Sequence, residues 1–564
     1  MKIVAGQLNY TVGDFKGNSE KIEKLSRYSS DVKADLTVTS ELSIWGYPPQ
    51  DLTLYPGLVN RSWEMIDALA HEVKNNPPLL IGAVEASKHL YTPSFRNVAV
   101  LLMNGTSRIV CSKKYLPYYD VFDENRYFSP GEGPSQIEIN GKKVIVSICE
   151  DLWKSLDIYS DKKVEMFDND FDFPESDIII NMSASPFHLG KPHQRKELLK
   201  GYSAQYQKHV LFVNQVGSND SIIFDGNSQV ITYPELSVEK FPSFCEHSAV
   251  KDFSQPPINN FSSKTEKNIE ESNSTETNNP RSWENIESTR QALVLGIKDY
   301  VHKNGFKNVL LGLSGGIDSA VTAYLAVEAL GAENVQGIIM PSEFNSSKSA
   351  QDALELAEKL KMKTSSIDID PLKNQFLSSL EELFQSKETG VAEENLQSRI
   401  RGTLLMALSN KHGSLLLTTG NKSEMAVGYC TIYGDMNGAL GVIADVWKTD
   451  VYKLAKHINE KEEIIPDSII TKEPSAELRH DQKDQDSLPE YDVLDGILKM
   501  LVEEFKTPQE VVEEGFDENT VKYIIRLLSV SEFKRDQAAL ILKVSPRCFT
   551  LGWRHPITAK IFQD

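Results

Sequence analysis

The stretch NVLLGLSGGIDSA, residues 308–320, joins an apolar run to a glycine-rich turn. The run over residues 308–313 is mostly apolar, which is typical of a strand covered on both faces, and residues 320–330 are predicted to form a helix. Gly315 and Gly316 allow the backbone to approach a ligand closely, and the amides that begin the helix favour an anion. The stretch therefore predicts a strand, a phosphate-binding turn and a helix.

The segments that follow continue this alternation. Residues 335–340 and 363–369 are predicted strands, and residues 349–360 are the predicted helix between them. Strand, helix and strand at this spacing favour a doubly wound, Rossmann-like parallel sheet, whose ligands gather at the carboxyl ends of the strands. We therefore expect the glycine-rich turn to lie at a ligand site.

The turn also carries polar groups suited to nucleotide chemistry. Ser314 and Ser319 offer hydroxyl groups, and Asp318 places a carboxylate where Mg²⁺ could bridge it to phosphates. No Gly-Lys-Ser/Thr follows, so the turn is not a Walker A loop. A Gly-Gly pair between a strand and a helix is often just a tight turn. SGGIDS, however, matches the SGGxDS signature of enzymes that split ATP into AMP and pyrophosphate.

The segment ENLQSRIR, residues 394–401, is predicted to open a helix. Asn395 and Arg399 are four residues apart, as are Gln397 and Arg401, so each pair shares one helix face. Both pairs could bind phosphate or ribose oxygens.

The segment TGNKSE, residues 419–424, follows a predicted strand over residues 415–417. Glu424 could complete a Mg²⁺ site with Asp318. The alternative interpretation is a helix N-cap followed by a solvated first-turn glutamate.

The first half of the chain contains short β-rich runs with helices between them. Several runs are apolar throughout, which indicates strands covered on both faces and predicts a layered α/β sandwich. The predicted strands span residues 2–8, 36–39, 79–84, 98–103, 144–148, 177–180 and 210–214, and the predicted helices span residues 19–29 and 62–73.

Three chemically useful side chains follow predicted strands in this half. Cys149 ends the run over residues 144–148, and Glu41 follows the run over residues 36–39 and precedes a sharp GYPP turn. Lys113 stands at the end of the run over residues 107–112, just before a Leu-Pro pair. Amide cleavage needs a thiolate that attacks, a carboxylate that moves the proton and a cation that stabilises the oxyanion. The alternative interpretation of Cys149 is an inert packed cysteine, and that of Lys113 is a solvated surface lysine, because these are the usual environments of the two residue types.

Composition divides the chain into two halves. Residues 252–281 are rich in Ser, Asn, Thr, Glu and Pro and almost lack aliphatic residues, which predicts a linker. A structured surface excursion is the alternative. The predicted organisation is a domain over residues 1–250, a linker over residues 251–282 and a domain over residues 283–564.

Charge and hydropathy exclude several classes of partner. The 564 residues include 60 Lys+Arg and 80 Asp+Glu, for a net charge of −20, without a basic block, so we expect no nucleic acid and no membrane partner. Residues 1–8 turn polar too soon for a signal peptide, and no apolar stretch approaches the roughly 20 residues of a membrane span. The expected location is cytosolic.

The cysteines favour neither a disulfide framework nor a zinc site, because they are scattered and lack CxxC spacing. One of them could still be a working thiol. We expect no prosthetic group. The five cysteines are Cys111, Cys149, Cys245, Cys430 and Cys548.

Four motifs in the first half resemble the nitrilase-type amidohydrolase domain in its glutamine-hydrolysing form. The resemblance covers about the first 240 residues and implies an N-terminal nitrilase-like α-β-β-α sandwich. The motifs are GQLNYTVGDFKGN (6–18), SELSIWGYPPQDL (40–52), KKYLPYYDVFDENRYF (113–128) and SICEDLW (147–153).

This resemblance implies a role for individual residues. Glu41, Lys113 and Cys149 would form the catalytic triad, with Glu124 in support. Spacing from the Leu-Pro pair selects Lys113 rather than Lys114. The residues expected to shape the glutamine pocket are Tyr119, Glu150, Ser185 and Lys191.

The second half resembles the NAD synthetase family from about residue 283 to the C-terminus. Two departures concern its C-terminal nucleotide contacts: Ala444 stands where relatives tend to carry a lysine, and Asp536 stands in a stretch that is usually more basic. The motifs are GYCTIYGDMNGAL (428–440), DVWKTDVYKLA (445–455), TKEPSAELRHDQKDQDSLPEYDVLD (471–495) and SEFKRDQA (531–538).

This second resemblance implies three sets of ligand contacts. Asp318 and Glu424 are the expected Mg²⁺ ligands. The expected deamido-NAD contacts are Asn395, Asp435, Lys448 and Lys534. The expected ATP contacts are Ser314, Gly315, Gly316, Asp318, Ser319, Arg399, Thr419 and Glu424.

Together the two resemblances imply an enzyme that adenylates deamido-NAD with ATP and amidates it with ammonia from glutamine. Because ammonia is protonated in neutral water, we hypothesise an enclosed route between the sites. The family resemblance also implies a homo-oligomer. Two alternatives remain: another ATP-dependent glutamine amidotransferase, such as a purine or asparagine synthetase, and a regulatory protein with an inactive site.

Overall fold

The computed structural model describes residues 1–86, 95–152, 176–253, 286–384 and 390–560. Contacts divide the chain into two compact units, one built mainly from residues 1–253 and the other mainly from residues 286–560. The predicted linker lies almost entirely outside the described residues. The domain boundaries therefore remain predictions.

The first unit contains two large sheets. One comprises β1 (Lys2–Gln7), β2 (Leu36–Val38), β3 (Leu79–Ala86), β4 (Phe95–Met103), β5 (Thr106–Ser112) and β14 (His247–Asp252). Its strand order is β14-β1-β2-β3-β4-β5, with β1, β2 and β3 parallel. The other comprises β6 (Ser135–Ile139), β7 (Lys142–Ile148), β8 (Ile178–Ser183), β9 (His209–Asn214), β12 (Gln229–Thr232) and β13 (Ser237–Lys240).

The second of these sheets has the order β13-β12-β9-β8-β7-β6, with β7, β8 and β9 parallel. Val38 of the first sheet and Val146 and Ile180 of the second belong to one core and are fully buried. A short ribbon is formed by β10 (Val216–Asn219) and β11 (Ile222–Asp225). The sheets therefore pack face to face.

Helices cover the outer faces of this sandwich. Asp14 caps the first helix by accepting a hydrogen bond from the Gly17 amide at 2.9 Å. The helices are α1 (Phe15–Asp31) and α2 (Pro56–Glu72) on the first sheet and α3 (Lys191–Tyr206) on the second. This α-β-β-α layering confirms the predicted fold class of the first half.

The second unit is organised around one parallel sheet. In the described residues its strands are β15 (Val309–Gly312), β16 (Val335–Ile339), β17 (Lys363–Ser366), β18 (Leu415–Thr418), β19 (Leu440–Gly441) and β20 (Leu540–Ile541). The order is β17-β16-β15-β18-β19-β20, and each neighbouring pair is parallel. This is the doubly wound order, and the strand sequence reverses between β15 and β18. The predicted parallel sheet is confirmed.

Helices surround this sheet and build a C-terminal core that contains Leu494, Ile497 and Ile524. No helix in the described ranges is both long and apolar enough to cross a bilayer. The helices are α4 (Ile286–Lys303), α5 (Ile317–Leu330), α6 (Ser347–Lys359), α7 (Asp370–Phe384), α8 (Val391–His412), α9 (Lys422–Val427), α10 (Lys448–Ile458), α11 (Asp467–Thr471), α12 (Tyr491–Val502), α13 (Pro508–Glu513), α14 (Glu518–Val530) and α15 (Glu532–Arg535). Short 3₁₀ helices span Gln50–Leu54, Glu124–Arg126, Cys149–Leu152, Ala332–Asn334 and Asp484–Asp486.

Candidate functional site

Glu41 lies in the loop that follows β2 and is held against β3. The Ser43 hydroxyl accepts a hydrogen bond from the Gly82 amide at 2.9 Å. A Cβ atom at Gly82 would lie 2.1 Å from the Leu42 nitrogen, so this close approach requires glycine. The loop therefore fixes the Glu41 carboxylate in the interior, where it is 1% exposed.

Lys113 follows β5 directly and is completely buried. Its ammonium donates to Glu41 Oε1 at 2.7 Å and to Glu124 Oε1 at 2.8 Å. Asn97 Nδ2 also donates to Glu41 Oε1 at 2.7 Å, and the Ala184 amide donates to the other oxygen at 2.9 Å. The Glu41 carboxylate is thus oriented by three neighbours.

The adjacent lysine has a different environment. Lys114 is half-buried, and its ammonium lies 5.5 Å from the centre of the Tyr115 ring. Of the two lysines that the motif offers, Lys113 is the one that contacts Glu41.

Cys149 begins a tight turn at the end of β7. Its φ angle is +42°, which is uncommon for a residue other than glycine and often marks a functional site. Asn181 Nδ2 donates to the Cys149 carbonyl oxygen at 3.2 Å and so secures the turn on β8. The thiol is 3% exposed and belongs to the core between the two sheets.

The charge of Glu41 affects the protonation of the other two predicted triad residues. Burial raises the pKa of the Cys149 thiol well above its ordinary value, the Glu41 charge adds to this, and the Lys113 charge opposes it. Burial lowers the pKa of Lys113, but the charges of Glu124 and Glu41 outweigh it, so the net direction is upward. A neutral thiol and a charged ammonium therefore lie beside a carboxylate that can take the thiol proton.

Glu124 is also buried in this cluster, where burial raises its pKa to about 7 although the Lys113 charge opposes the shift. The Tyr47 hydroxyl donates to Glu124 Oε1 at 2.7 Å. Lys113 Nζ therefore contacts both Glu124 and Glu41, so the two carboxyl groups share one ammonium.

Three of the four residues predicted to shape a glutamine pocket, Tyr119, Glu150 and Lys191, interact electrostatically with the same thiol. The Tyr119 hydroxyl donates to Glu150 Oε1 at 2.5 Å. Burial raises the pKa of Glu150, and the Lys191 charge at the start of α3 opposes that shift. Ser185 follows β8, and its amide donates to Asn214 Oδ1 at 2.8 Å.

In the second unit, the glycine-rich turn joins β15 to α5. The hydroxyl oxygens of Ser314 and Ser319 are 3.1 Å apart, and the Gly316 amide donates to the Ser314 hydroxyl at 3.2 Å. Gly315 has a φ angle of +74°, and a Cβ atom there would lie 2.1 Å from the Ser349 carbonyl oxygen. The turn therefore requires glycine at position 315 for both conformation and space.

Two carboxylates and one ammonium meet beside this turn. Lys448 Nζ contacts Asp318 Oδ2 and lies 3.8 Å from Glu424 Oε1. Asn421 Nδ2 donates to Asp318 Oδ1 at 3.0 Å. Burial and the Asp318 charge raise the pKa of Glu424 to about 8, while the Lys448 charge opposes this. The carboxyl groups at positions 318 and 424 thus lie in one cluster around Lys448, and their role as Mg²⁺ ligands stays a prediction.

A cavity of about 280 Å³ opens at the carboxyl ends of β15 and β18, where the strand order reverses. This is where a doubly wound sheet binds its ligands. The predicted contacts that line it are Ser314, Gly316, Asp318, Ser319, Thr419, Glu424, Asp435 and Lys448.

The other predicted contacts in this unit have different neighbours. Arg399 is exposed, and its Nε donates to the Ile432 carbonyl oxygen at 3.3 Å. Asn395 Oδ1 accepts from the Thr431 hydroxyl at 2.8 Å, and Lys534 Nζ donates to the Gly428 carbonyl oxygen at 2.6 Å.

Sequence reasoning gave no role to Lys472 and Glu477, which line the cavity, and offered Arg401, which also lines it, only as the helix-face partner of Gln397. Arg401 donates to the Met340 carbonyl oxygen at 3.1 Å, and burial lowers its pKa to about 10. Glu477 accepts from Lys472 Nζ and from the Ser349 hydroxyl, both at 2.6 Å. The spacing of Arg401 from Gln397 was the available signal for the arginine, whereas the segment around Glu477 depends on contacts distant in sequence.

Comparison with known proteins follows the same division of the chain. The carbon-nitrogen hydrolase family matches residues 2–238, and the NAD synthase family matches residues 289–538. A glutamine-dependent NAD(+) synthetase from Synechocystis sp. is 44% identical over 564 residues, which cover 98% of each chain. The corresponding protein of Thermotoga maritima is 40% identical over 583 residues, which cover 99% of this chain and 98% of the relative.

A solved structure also matches both halves. It is a glutamine-dependent NAD+ synthetase from Acinetobacter baumannii in complex with adenosine diphosphate, 35% identical, with a TM-score of 0.72. The match covers 99% of this chain and 98% of that chain. The likeness thus extends over the full length of the sequence.

Proposed function

Because the chain belongs to the family of glutamine-dependent NAD(+) synthetases, we propose that it makes NAD from deamido-NAD, ATP and glutamine, with AMP, pyrophosphate and glutamate as the other products. One observation carries the proposal. A buried cluster of Cys149, Lys113 and Glu41 lies in the same chain as a strand-end cavity that contains the SGGIDS turn. The first arrangement is suited to releasing ammonia from an amide, and the second to binding ATP.

In the glutaminase reaction, Cys149 Sγ attacks the side-chain amide carbon of glutamine. Glu41 takes the thiol proton and passes it to the leaving nitrogen, which departs as ammonia. The Lys113 ammonium stabilises the tetrahedral oxyanion. Water then hydrolyses the thioester to glutamate and restores the thiol. The raised pKa of Cys149 supports this order of events, since the thiol needs a base at the moment of attack.

In the synthetase reaction, the nicotinate carboxylate of deamido-NAD attacks the α-phosphorus of ATP and displaces pyrophosphate. Ammonia then attacks the resulting acyl-adenylate and displaces AMP, which leaves the amide of NAD. Ser314, Gly316 and Ser319 would bind ATP phosphates through hydroxyl and amide groups. Arg399 and Thr419 remain proposed ATP contacts, and the proposed deamido-NAD contacts are Asn395, Asp435, Lys448 and Lys534.

The residues of the cavity fit a magnesium ion. Asp318 and Glu424 present hard oxygen ligands, and their mutual repulsion, which contributes to the raised pKa of Glu424, would be relieved by a cation. The described residues contain no cluster of three or more His, Cys, Asp or Glu side chains able to hold a metal alone, so substrate phosphates would complete the ligand set. When bound, Mg²⁺ would neutralise phosphate charge as pyrophosphate leaves.

An exposed apolar face on α7 supports a homo-oligomer, which we include in the proposal. Leu372, Phe376 and Leu383 occupy one face of this helix and are 40%, 49% and 73% exposed. Such side chains are stabilised when a second copy covers them. Sedimentation of the full chain at micromolar concentration is expected to give a species larger than the monomer, and Phe376→Glu is expected to shift it towards the monomer. A monomeric wild type would contradict this expectation.

A cytosolic location is also proposed. The five cysteines are free thiols, and free thiols persist in a reducing compartment. Fractionation of cells that make the protein would locate it directly, and recovery in a membrane or secreted fraction would contradict the proposal.

The proposed reaction is tested by its stoichiometry. Purified full-length protein with deamido-NAD, Mg²⁺, ATP and glutamine is expected to form NAD, AMP, pyrophosphate and glutamate, with NAD, AMP and pyrophosphate in equal amounts. Replacing glutamine with ammonium is expected to support NAD formation without glutamate. Release of ADP and phosphate instead of AMP and pyrophosphate would contradict the adenylation step, and failure with both nitrogen sources would contradict the synthetase assignment.

A further inference from the structure

Asp151 lies two residues after Cys149 and is completely buried. Its Oδ1 accepts hydrogen bonds from the backbone amides of Lys114 at 2.9 Å and Tyr115 at 3.0 Å. These two residues follow Lys113 directly in the sequence. One carboxyl oxygen therefore connects the turn that carries the thiol with the segment that carries the buried lysine.

Other backbone hydrogen bonds hold these segments on different neighbours. The Lys113 amide donates to the Asn97 carbonyl oxygen at 2.9 Å, and the Lys113 carbonyl oxygen accepts from the Gly131 amide at 2.7 Å. Asn181 secures the other side of the Cys149 turn. These contacts hold each segment on its own neighbours, whereas the two hydrogen bonds to Asp151 Oδ1 join the segments to each other.

We propose that Asp151 is a positioning residue for the glutaminase reaction, and that it acts through the amides of Lys114 and Tyr115 to hold the Lys113 ammonium in place relative to the Cys149 thiol. The inference rests on the proposed function, since it assigns a role within the reaction of Cys149. Effective attack needs reacting groups held closely, and a displacement of about 1 Å can lower a rate roughly 100-fold.

The role requires an acceptor oxygen and does not require a negative charge. Within the described residues, Asp151 Oδ2 has no hydrogen-bond partner, so the two contacts depend on Oδ1. Burial raises the pKa of Asp151 to about 7, while the amides of Tyr115 and Lys114 oppose this shift. A protonated carboxyl and a carboxamide can both accept at Oδ1. Asparagine should therefore replace aspartate, whereas alanine removes the oxygen that accepts these two hydrogen bonds.

The test compares Asp151→Ala and Asp151→Asn in the full-length protein, with kcat and KM measured for glutamate release in the presence of ATP and deamido-NAD. For Asp151→Ala we expect kcat to fall about 10-fold to 100-fold while KM for glutamine changes by less than about threefold. Asp151→Asn is expected to recover most of the wild-type kcat. Alkylation of Cys149 by iodoacetamide should slow in Asp151→Ala, because a displaced Lys113 stabilises the thiolate less well.

Two further variants distinguish a positioning role of Asp151 from a general effect of its replacement on stability. Ile66→Ala removes buried side-chain volume from α2, far from these contacts in sequence, and should lower Tm without lowering the alkylation rate of folded protein. If Asp151→Ala does not fold, Asp151→Glu keeps the acceptor but displaces it by one methylene and is expected to lower kcat while Asp151→Asn does not. A wild-type kcat in Asp151→Ala or Asp151→Glu, or an equal loss in Asp151→Asn, would overturn the inference. Absence of glutaminase activity in the wild type would instead overturn the proposed function.

Discussion

Cys149→Ala is expected to reduce glutamine-supported NAD formation by roughly 10³-fold or more. The substitution removes the nucleophile, and the remaining oxyanion and proton-transfer groups have no covalent intermediate to stabilise. Ammonium-supported NAD formation should stay within about threefold of wild type, since Cys149 belongs to the first compact unit and the SGGIDS turn to the second. Initial rates of NAD formation with each nitrogen source measure both effects.

Cys245→Ala provides the matched control, because Cys245 is an exposed thiol in the same unit. It should leave both reactions near wild type. A glutamine-analogue alkylator should label wild-type protein and Cys245→Ala at one site, and should not label Cys149→Ala. Persistent glutamine-supported synthesis in Cys149→Ala would show that another group is the nucleophile. Loss of both reactions would show that the substitution disturbs more than the thiol.

The strands that lead into Cys149 and into the SGGIDS turn could be predicted from the sequence because they are buried on both faces. The run from Val144 to Ile148 is apolar in four of its five positions, and the run after Asn308 has the same character. Edge strands are different, as β13 (Ser237–Lys240) and β14 (His247–Asp252) show. Their polar residues form strands because a neighbour pairs with them, so their own sequence carries little signal.

The site residues divide in the same way. Glu41, Lys113 and Cys149 could be proposed because each stands at the end of a strand-like run and within a motif that resembles the nitrilase-type family. The contacts of Asn97 and Asp151 could not be predicted from the sequence. Each is a hydrogen bond between segments that are distant in sequence and come together only in the folded chain.

A buried lysine shows the same limit. Lys422 is fully buried between Asp445 at 3.0 Å and Glu503 at 2.7 Å, although lysine is ordinarily exposed. The motif TGNKSE predicted the neighbouring carboxylate at position 424 but not this ion-pair network. Burying an ammonium requires partners from segments that no local pattern identifies.

Asp318→Asn is expected to lower NAD formation with glutamine and with ammonium equally, by roughly 10³-fold. Asparagine keeps the size of the side chain and can still accept from Asn421, but it loses the charge beside the phosphate-binding turn. Lys448 then retains Glu424 as its carboxylate neighbour in the cavity. Removing Mg²⁺ from wild-type protein with a chelator should abolish both reactions in the same way. Initial rates with each nitrogen source, with and without added Mg²⁺, measure the effect.

Asp450→Asn is the matched control, because it also removes the charge of an acid that pairs with lysine. Asp450 contacts Lys453 at 2.8 Å and Lys499 at 3.0 Å and lies outside the lining of the cavity, so its replacement should change both rates by less than about threefold. Alkylation of Cys149 should proceed at the wild-type rate in Asp318→Asn if the first unit is undisturbed. Full ammonium-supported activity in Asp318→Asn would mean that Asp318 serves only as a partner for Lys448. Loss of the glutamine reaction alone would contradict the assignment of the SGGIDS turn to the step that both nitrogen sources share.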